Sequence, residues 1–285
     1  IKDISKIIVL GELSLDGYIK KINGTIPILL DGKLNGYKEY ILPKENFIES
    51  DFVRDIDKSY FNDLKGFVSY LQTGNKSKII INSSKEIDDK NNIINLEDIL
   101  GHVSSKRALQ ISAAGFHNII LYGPVGSGKT MLAKSLRSIL PKLDYEENLE
   151  KGRVYSLITL KEDLSKPIFR EVHHTAFKNS LLGSERTGKI GEVTLSNNGV
   201  LFLDEMLEFK RETLEVLRNI LEDRKVSFNK NKDFVEYPAN FILVGAMNLC
   251  PCGNYLNNSA IKQCVCENIK RERYRKEPKE SIGKK

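Results

Sequence analysis

Short apolar runs alternate along the chain with stretches whose apolar residues recur at helical spacing. The clearest runs have the length and continuity that predict buried strands of a parallel sheet: Ile119–Tyr122, Val200–Leu203 and Phe241–Ala246. The stretch Lys106–Ala114 predicts a helix that stops at Gly115. Leu214, Leu217 and Leu221 lie on one face of a second predicted helix. This order of elements predicts an α/β fold in which helices flank a parallel sheet.

Residues 7–71 form a separate pattern that is typical of a small α/β unit. Ile7–Leu10 and Glu39–Leu42 predict strands, and Asp16–Gly17 predicts a turn. The apolar spacing within Phe61–Leu71 predicts a helix. This unit contains no grouping of metal ligands or nucleophiles, so its residues alone do not indicate a function.

A polar stretch at residues 76–96 has the composition of a linker, so we place a domain boundary there. Beyond it, Val154–Leu157 predicts a further strand. Later in the chain, Gly188–Ser196 predicts a hairpin or an inserted β segment. Residues 226–237 predict a hairpin with the basic tip Lys230 and Lys232.

The glycine-rich sequence after Tyr122 is the strongest chemical signal in the chain. It reads Gly123-Pro124-Val125-Gly126-Ser127-Gly128-Lys129-Thr130, which matches the P-loop pattern between a predicted strand and a predicted helix. Glycines let backbone N–H groups turn toward phosphate oxygens, and a helix N-terminus favours an anion. Lys129 supplies a charge for the terminal phosphates, and Thr130 supplies a hydroxyl for Mg²⁺. The sequence therefore predicts a site for Mg·ATP.

Polar residues follow two more of the predicted strands. Asp204 and Glu205 come directly after Val200–Leu203, and Asn248 follows the strand that begins at Phe241. Ligands of parallel sheets bind at the carboxyl ends of the strands. We expect Asp204 to hold the Mg²⁺ shell and Glu205 to orient or deprotonate the attacking water.

The composition is typical of a soluble globular protein: of 285 residues, 40% are hydrophobic and 29% charged. This length predicts about two domains. No apolar run approaches the roughly 18 residues of a membrane span, and no signal peptide is seen, so we expect a cytoplasmic protein without a membrane partner. The chain begins at Ile1 rather than Met, which suggests a fragment. Most of the net charge of +6 lies in residues 262–285, which favours either contact with DNA or a solvated end.

Two adjacent histidines, His173 and His174, precede Thr175. In an extended chain their side chains would point to opposite sides. We therefore expect a structural role or substrate contact rather than a shared metal.

The four cysteines lie close together, as Cys250-Pro251-Cys252 and Cys264-Val265-Cys266. Paired cysteines in a cytosolic chain favour a metal over a disulfide, and four thiolates could hold a structural Zn²⁺. The C-x-C spacing is tighter than the usual C-x₂-C, so reduced free thiols and a disulfide remain alternatives. A closed site of this kind would leave no open position for catalysis.

With these residues in view, the chain resembles the ComM/YifB family of magnesium-chelatase-like AAA+ ATPases over roughly residues 7–275. The resemblance is carried by these segments: Gly11–Gly17, Lys106–Leu109, Ala113–Gly115, His173–Thr175, Asn198–Glu205, Ala246–Asn248 and Cys250–Gly253. It implies a P-loop AAA+ core that is hexameric, with nucleotide at the subunit interfaces. In that family Asn248 would be sensor 1, which positions the hydrolytic water.

The resemblance also implies a partner. Residues 188–196 would be the helix-2 insert and residues 226–237 the pre-sensor-1 hairpin, which in related motors face a central pore where DNA passes. Members similar to ComM are linked to DNA branch migration during natural transformation. On this basis we divide the chain into a partial Lon-protease-like (S5-like) domain at 1–75, the linker, an ATPase core at 97–249 and a basic Cys-containing segment at 250–285.

The chain departs from the family at both ends. Residues 7–71 resemble the second half of a Lon-protease-like domain, but isoleucines, Ile26 and Ile28, stand at the candidate positions of the catalytic lysine. A peptidase that needs a lysine base could not work with either. No arginine finger or lid with sensor 2 is recognised in residues 206–285, where Arg218 and Arg224 are the remaining candidates. We therefore expect residues 1–285 alone to bind ATP but to hydrolyse it near the background rate.

These observations favour an ATP-driven motor subunit acting on DNA. The alternatives are a chelatase-type ATPase that remodels a protein partner or a metal-insertion partner, and a truncated nucleotide-binding relic without turnover. Stimulation of ATP turnover by single-stranded or branched DNA would separate the first from the second, and absence of turnover would indicate the third.

Overall fold

The computed structural model describes residues 5–74, 94–158, 166–184, 188–230, 233–255, 263–272 and 274. The helices are α1 (Thr25–Leu34), α2 (Phe47–Ser50), α3 (Leu64–Thr73), α4 (Val103–Gly115), α5 (Lys129–Ile139), α6 (Tyr145–Ser156), α7 (Lys178–Leu182), α8 (Glu192–Leu195) and α9 (Arg211–Asp223). Short 3₁₀ turns cover Lys44–Asn46, Leu96–Asp98 and Met206–Glu208. Within the described ranges, no helix is both long and apolar enough to cross a membrane.

The strands are short, and most belong to one of two parallel sheets. They are β1 (Ile7–Val9), β2 (Glu12–Leu13), β3 (Ile19–Lys20), β4 (Glu39–Pro43), β5 (Asp57–Phe61), β6 (Ile119–Tyr122), β7 (Phe169–Val172), β8 (Gly183–Ser184), β9 (Lys189–Ile190), β10 (Val200–Leu203), β11 (Lys225–Lys230), β12 (Asp233–Pro238) and β13 (Ile242–Met247).

The chain divides into two compact units. The first contains Ile1–Asp88 together with Asp144–Leu164, and the second contains Asp89–Leu143 together with Ser165–Lys285. The segment that carries α6 belongs to the first unit, although it lies within residues 97–249. Most of the expected linker at 76–96, namely residues 76–93, lies outside the described part of the chain.

The first unit is built on a three-stranded parallel sheet in the order β1-β4-β5, as the apolar runs at β1 and β4 predicted. The helix predicted from Phe61 begins only at Leu64, and Phe61 is the last residue of β5. Asp63 fixes this boundary, because its Oδ1 accepts a hydrogen bond of 2.7 Å from the Gly66 N–H. The core beneath the sheet consists of Ile26, Leu29, Tyr40, Leu42, Val53 and Leu149.

The strand predicted at Val154–Leu157 is wrong, because α6 covers these residues up to Ser156. The helix begins with a capping box. Asp144 Oδ1 accepts from the Glu147 N–H at 2.8 Å, and Glu147 Oε2 accepts from the Asp144 N–H at 2.9 Å. Val154 and Tyr155 near its end are each 3% exposed, and a short buried apolar run is compatible with a strand as well as with a helix.

Two carboxylates, Glu39 and Glu49, are buried among the described residues of this unit. Glu49 is 2% exposed and accepts hydrogen bonds from the Thr25 N–H at 3.2 Å and from Asn46 Nδ2 at 3.1 Å. Burial raises the pKa of Glu49 above its ordinary value, although Lys21, 3.7 Å away, acts to lower it.

The second unit contains a four-stranded, wholly parallel sheet in the order β6-β13-β10-β7. Strands β10 and β13 are central, and all their residues are buried. Alternate residues of β10 face opposite layers: Leu201 and Leu203 pack with Leu217 of α9, whereas Phe202 packs with Leu136 of α5. This confirms the predicted α/β fold with helices on both faces of a parallel sheet.

The position of β6 in this sheet differs from the prediction. The strand was expected to be buried, but it lies at one edge of the described sheet. Leu121 is buried, whereas Ile120 is 38% exposed and Tyr122 is 70% exposed. A continuous apolar run identified the strand but could not reveal how many neighbours it has.

The hairpin predicted over residues 226–237 is confirmed by the antiparallel pair β11 and β12. Its basic tip, Lys230 and Lys232, lies outside the described side chains. The prediction for Gly188–Ser196 is only partly correct. The hairpin pairs β8 with β9 and so begins earlier, at Gly183, while α8 occupies Glu192–Leu195.

Candidate nucleotide-binding site

The carboxyl ends of all four strands in the second sheet lie at one edge. The register pairs Met247 with Tyr122, and pairs Leu203 with Gly245 and Val172. The residues that follow the strands are therefore neighbours: the P-loop from Gly123, Asn248, Asp204 and His173. This is where ligands bind in parallel sheets.

The P-loop connects β6 to α5, and two of its three glycines have conformations that other residues rarely adopt. Gly126 has φ 80° and Gly128 has φ 77°, both in the left-handed region. The space into which a Cβ of Gly126 would project is open. Gly128 is the N-cap of α5, so the first N–H groups of this helix have no partner within it. A glycine-rich loop that leads into a helix N-terminus is an arrangement that suits an anion.

The Lys129 ammonium lies inside this loop. Its Nζ donates hydrogen bonds to the carbonyl oxygens of Gly123 at 3.0 Å and Pro124 at 2.9 Å, and to Asn248 Oδ1 at 3.3 Å. Burial lowers the pKa of Lys129 below its ordinary value, while the nearby Asp204 carboxylate acts to raise it. The lysine of β6–α5 is thus linked directly to the residue that follows β13.

The two carboxylates after β10 have different surroundings. Asp204 Oδ1 accepts a hydrogen bond of 3.0 Å from the Glu205 N–H, which turns the Asp204 carboxylate toward its own backbone. Glu205 has φ 50°, in the left-handed region, and its side chain is 45% exposed. The chain turns away from the strand direction at Glu205. The two adjacent carboxylates therefore have different orientations and can bind different groups.

The two histidines after β7 both lie next to Glu205. His174 Nδ1 is 2.9 Å from Glu205 Oε2, an ion-pair distance without hydrogen-bond geometry, and His173 Nε2 is 4.0 Å from the same oxygen. Their ring centroids are 4.1 Å apart. The expectation that the rings point to opposite sides is wrong, because β7 ends at Val172 and the histidines lie in the following turn. The sequence indicated a structural role or substrate contact but did not reveal the contact with Glu205.

These residues fit Mg·ATP. The P-loop supplies backbone donors and one ammonium for phosphate oxygens, and Thr130 and Asp204 supply oxygen atoms of the type that Mg²⁺ prefers. Thr130 is the second residue of α5, immediately after Lys129. Asp204 lies close enough to Lys129 to influence its pKa.

The loop after Asn248 contacts the P-loop from a second direction, which the sequence did not reveal. The Val125 N–H donates to the Gly253 carbonyl at 3.2 Å, and the Gly123 N–H donates to the Met247 carbonyl at 3.3 Å. Gly253 has φ 73°, and a Cβ there would lie 2.5 Å from Val125 Cγ2. A glycine at this position is thus needed both for the backbone conformation and for the close approach.

The structure brings the four cysteines together. All are free thiols, and their four Sγ atoms lie within 4.8 Å of one another. The Sγ atoms of Cys250 and Cys252 are 3.3 Å apart, and Cys264 Sγ lies 3.7 Å from the first and 3.6 Å from the second. The backbone N–H of Asn254 lowers the pKa of the Cys252 thiol to about 6.

The two arginines considered as fingers make contacts within their own unit. Arg218 Nε lies 3.4 Å from Glu222 Oε1, one turn along α9. Arg224, just after α9, donates to the Phe241 carbonyl at 3.1 Å. Both arginine side chains therefore bind groups within the second unit.

Comparison with known proteins gives a consistent result. A family model described as "Magnesium chelatase, subunit ChlI" matches residues 95–282, and one described as "Subunit ChlI of Mg-chelatase" matches residues 1–46. The chain is 36% identical over 252 residues to competence protein ComM of Haemophilus influenzae, covering 86% of this chain and 49% of that protein. It is 34% identical over 253 residues to the uncharacterized protein YifB of Escherichia coli, covering 87% and 49%.

The chain therefore spans about half the length of these curated relatives. Among solved structures, it is similar to a complex of subunits BchI and BchD of magnesium chelatase, with a TM-score of 0.43 and 17% identity, covering 67% of this chain and 70% of that one.

Proposed function

The chain belongs to the family of the magnesium chelatase subunit ChlI, and from this premise we propose that it is an AAA+ motor subunit that binds and hydrolyses Mg·ATP and acts on DNA. The resemblance to ComM- and YifB-type proteins is confirmed by the identities above. The observation that carries the proposed ATPase activity is the single sheet edge where Lys129, Asp204 and Asn248 meet.

Each residue at this edge has a role that follows from its position. The N–H groups of the P-loop and Lys129 would bind the phosphates, and Lys129 would exchange its bonds to Gly123 and Pro124 for phosphate oxygens. Thr130 and Asp204 would hold Mg²⁺, which neutralises charge on the phosphates when bound.

Glu205 would orient the attacking water and accept its proton, with Asn248 fixing the position of that water. In this structure Glu205 Oε2 lies beside His174 instead. We infer that this contact with His174 competes with the action of the carboxylate on a water near the P-loop. His174 thus holds Glu205 in a resting position.

The proposed DNA partner rests on the family resemblance. The similarity to the competence protein ComM covers most of this chain. The hairpin β11–β12 directly precedes β13 in the sequence. The family resemblance implies that this hairpin faces the pore of a hexameric ring, where its basic tip, Lys230 and Lys232, would contact the phosphate backbone. A homo-oligomer would also place a neighbouring chain at the nucleotide.

We also propose that the first unit is a Lon-protease-like domain without peptidase activity. Ile26 is fully buried in the core at the start of α1 and has no ionisable group. Ile28, the second candidate position, is 37% exposed but is equally unable to act as a base.

The test is ATP turnover by the complete protein as expressed from its gene, measured with and without single-stranded or branched DNA. We expect DNA to increase turnover and Glu205→Gln to abolish it while leaving ATP binding intact. Glu208→Gln is the matched control, since it removes the same charge from an exposed residue three positions away.

Turnover that DNA does not change would exclude the proposed action on DNA. Full turnover by Glu205→Gln would exclude the proposed role of this carboxylate, and so would equal losses in the two variants.

A further inference from the structure

We propose that Cys250, Cys252, Cys264 and Cys266 bind one zinc ion, and that this ion holds the loop Asn248–Tyr255 against the P-loop so that its occupancy raises the affinity for ATP. This coupling rests on the nucleotide binding proposed above and adds a second ligand that supports the same site. It requires that the sulfurs can hold zinc and that the loop can transmit the effect.

The spacing of the sulfurs fits a tetrahedral metal. With Zn–S bonds of about 2.3 Å, tetrahedral geometry separates the sulfurs by about 3.8 Å. The distances among Cys250, Cys252 and Cys264 are 3.3, 3.7 and 3.6 Å, and Cys266 completes a group whose ligand atoms all lie within 4.8 Å of one another. A movement of a few tenths of an ångström would bring these sulfurs to the metal geometry.

The chemistry of the cluster points to the same ion. Four thiolates form a closed structural zinc site and leave no position for water or substrate. Cys250 is completely buried, and its Sγ accepts a hydrogen bond of 3.4 Å from the Tyr255 N–H. Donors of this kind orient and stabilise a thiolate ligand.

The turn Cys250–Gly253 contacts the P-loop directly. The Gly253 N–H donates to the Cys250 carbonyl at 2.9 Å, which closes a tight turn over the first cysteine pair. The Gly253 carbonyl in turn accepts from the Val125 N–H at 3.2 Å. One turn therefore joins the sulfur cluster to the P-loop backbone.

The start of the same loop contacts the lysine. Asn248, two residues before Cys250, accepts from Lys129 Nζ at 3.3 Å. The segment with the second cysteine pair adds one further contact, because the Arg271 guanidinium lies 4.3 Å from the centre of the Tyr255 ring. Zinc would tie Cys264 and Cys266 to this loop.

The energetic consequence follows from preorganisation. Without zinc, the loop would sample more conformations, and ATP would have to order it on binding. With zinc, that ordering is already complete. Loss of the metal should therefore weaken ATP binding without changing any residue that touches the nucleotide.

The experiment measures zinc content and ATP affinity on the same preparations. We expect about one zinc per chain, and none after Cys264→Ser combined with Cys266→Ser, whose side chains lie outside the P-loop. ATP should bind at least about fivefold more weakly to this variant, which corresponds to ~1 kcal/mol, the size of one net hydrogen bond.

A second variant keeps all four thiols. Gly253→Ala places a Cβ against Val125 and disfavours φ 73°, so it should retain zinc but bind ATP more weakly. Removal of zinc from the unaltered chain, in excess Mg²⁺, should lower the ATP affinity, and re-addition of zinc should restore it. This result separates the effect of the metal from misfolding of a variant.

Three results would overturn the inference. An unaltered chain that contains no zinc and shows no uptake of added zinc would remove the metal site. Zinc loss that leaves ATP affinity unchanged would remove the coupling. Zinc bound by a chain that does not bind ATP at all would contradict both the coupling and the proposed nucleotide site, while leaving the metal site in place.

Discussion

Replacement of Lys129 by alanine tests the nucleotide site most directly. The ammonium makes three hydrogen bonds within the site, to Gly123, Pro124 and Asn248, and ATP would replace some of these with bonds to phosphate. A hydrogen bond to a charged group contributes about 1.5–3 kcal/mol, which corresponds to about 10- to 150-fold in affinity. Because the present partners are lost in the exchange, we expect the lower part of this range, and at least a tenfold loss.

The same change should not unfold the protein. Burial lowers the pKa of Lys129, which means that the charged form is less favourable in the folded chain than in the unfolded one. At neutral pH the folded state therefore bears a desolvation penalty that alanine removes. The melting temperature of Lys129→Ala should accordingly stay close to that of the unaltered chain.

The assay is a calorimetric titration with ATP and Mg²⁺, combined with thermal melting. Lys134→Ala is the matched control, since it removes the same charge from the same helix, where Lys134 pairs with Glu171 at 2.8 Å on the surface. It should retain full affinity. Equal ATP affinity of Lys129→Ala and the unaltered chain would refute the assignment of the P-loop.

Two further predictions concern other ionisable groups. His174→Ala should raise basal ATP turnover by up to about fivefold, because a partly exposed pair such as His174 and Glu205 contributes about 0.2–1 kcal/mol when the imidazole is protonated. His173→Ala, at the longer distance of 4.0 Å, should have less effect. Equal turnover in all three proteins would contradict the resting position of Glu205. Burial raises the pKa of Glu49, so its contribution to stability is complete below pH 4.5 and is lost as the pH rises through the folded pKa. Glu49→Gln should remove this component from denaturant melts followed across pH, and an unchanged pH dependence would contradict it.

The P-loop and the strands beside it could be predicted because their signals are local. The β6–α5 junction was correctly located from eight consecutive residues, Gly123–Thr130, since glycine conformations and a helix start are set by near neighbours. Strands β10 and β13 were found for a related reason. A strand buried on both faces must be apolar at every position, which makes it visible without knowledge of its partners.

Prediction failed where the structure depends on distant contacts. Strand β7 has the sequence FREV, whose charged residues give no buried pattern, and it was not predicted. It pairs with β10 along its full length, and this pairing fixes it in the sheet. Helix α6 was interpreted as a strand because a short apolar run is compatible with either kind of element. Its contacts with α1, which lies far away in the sequence, place it in the first unit.

By itself, the sequence determined the family, the P-loop, the pair Asp204–Glu205 and the clustering of cysteines into two close pairs. Only the tertiary structure decided that His174 lies beside Glu205 and that Asn248 accepts a hydrogen bond from Lys129. The same is true of the hydrogen bond that the Val125 N–H donates to the Gly253 carbonyl. Each of the latter contacts joins residues from different strand ends. The pairing of strands in a parallel sheet decides which strand ends are adjacent. The spacing of residues along the chain does not reveal that strand order.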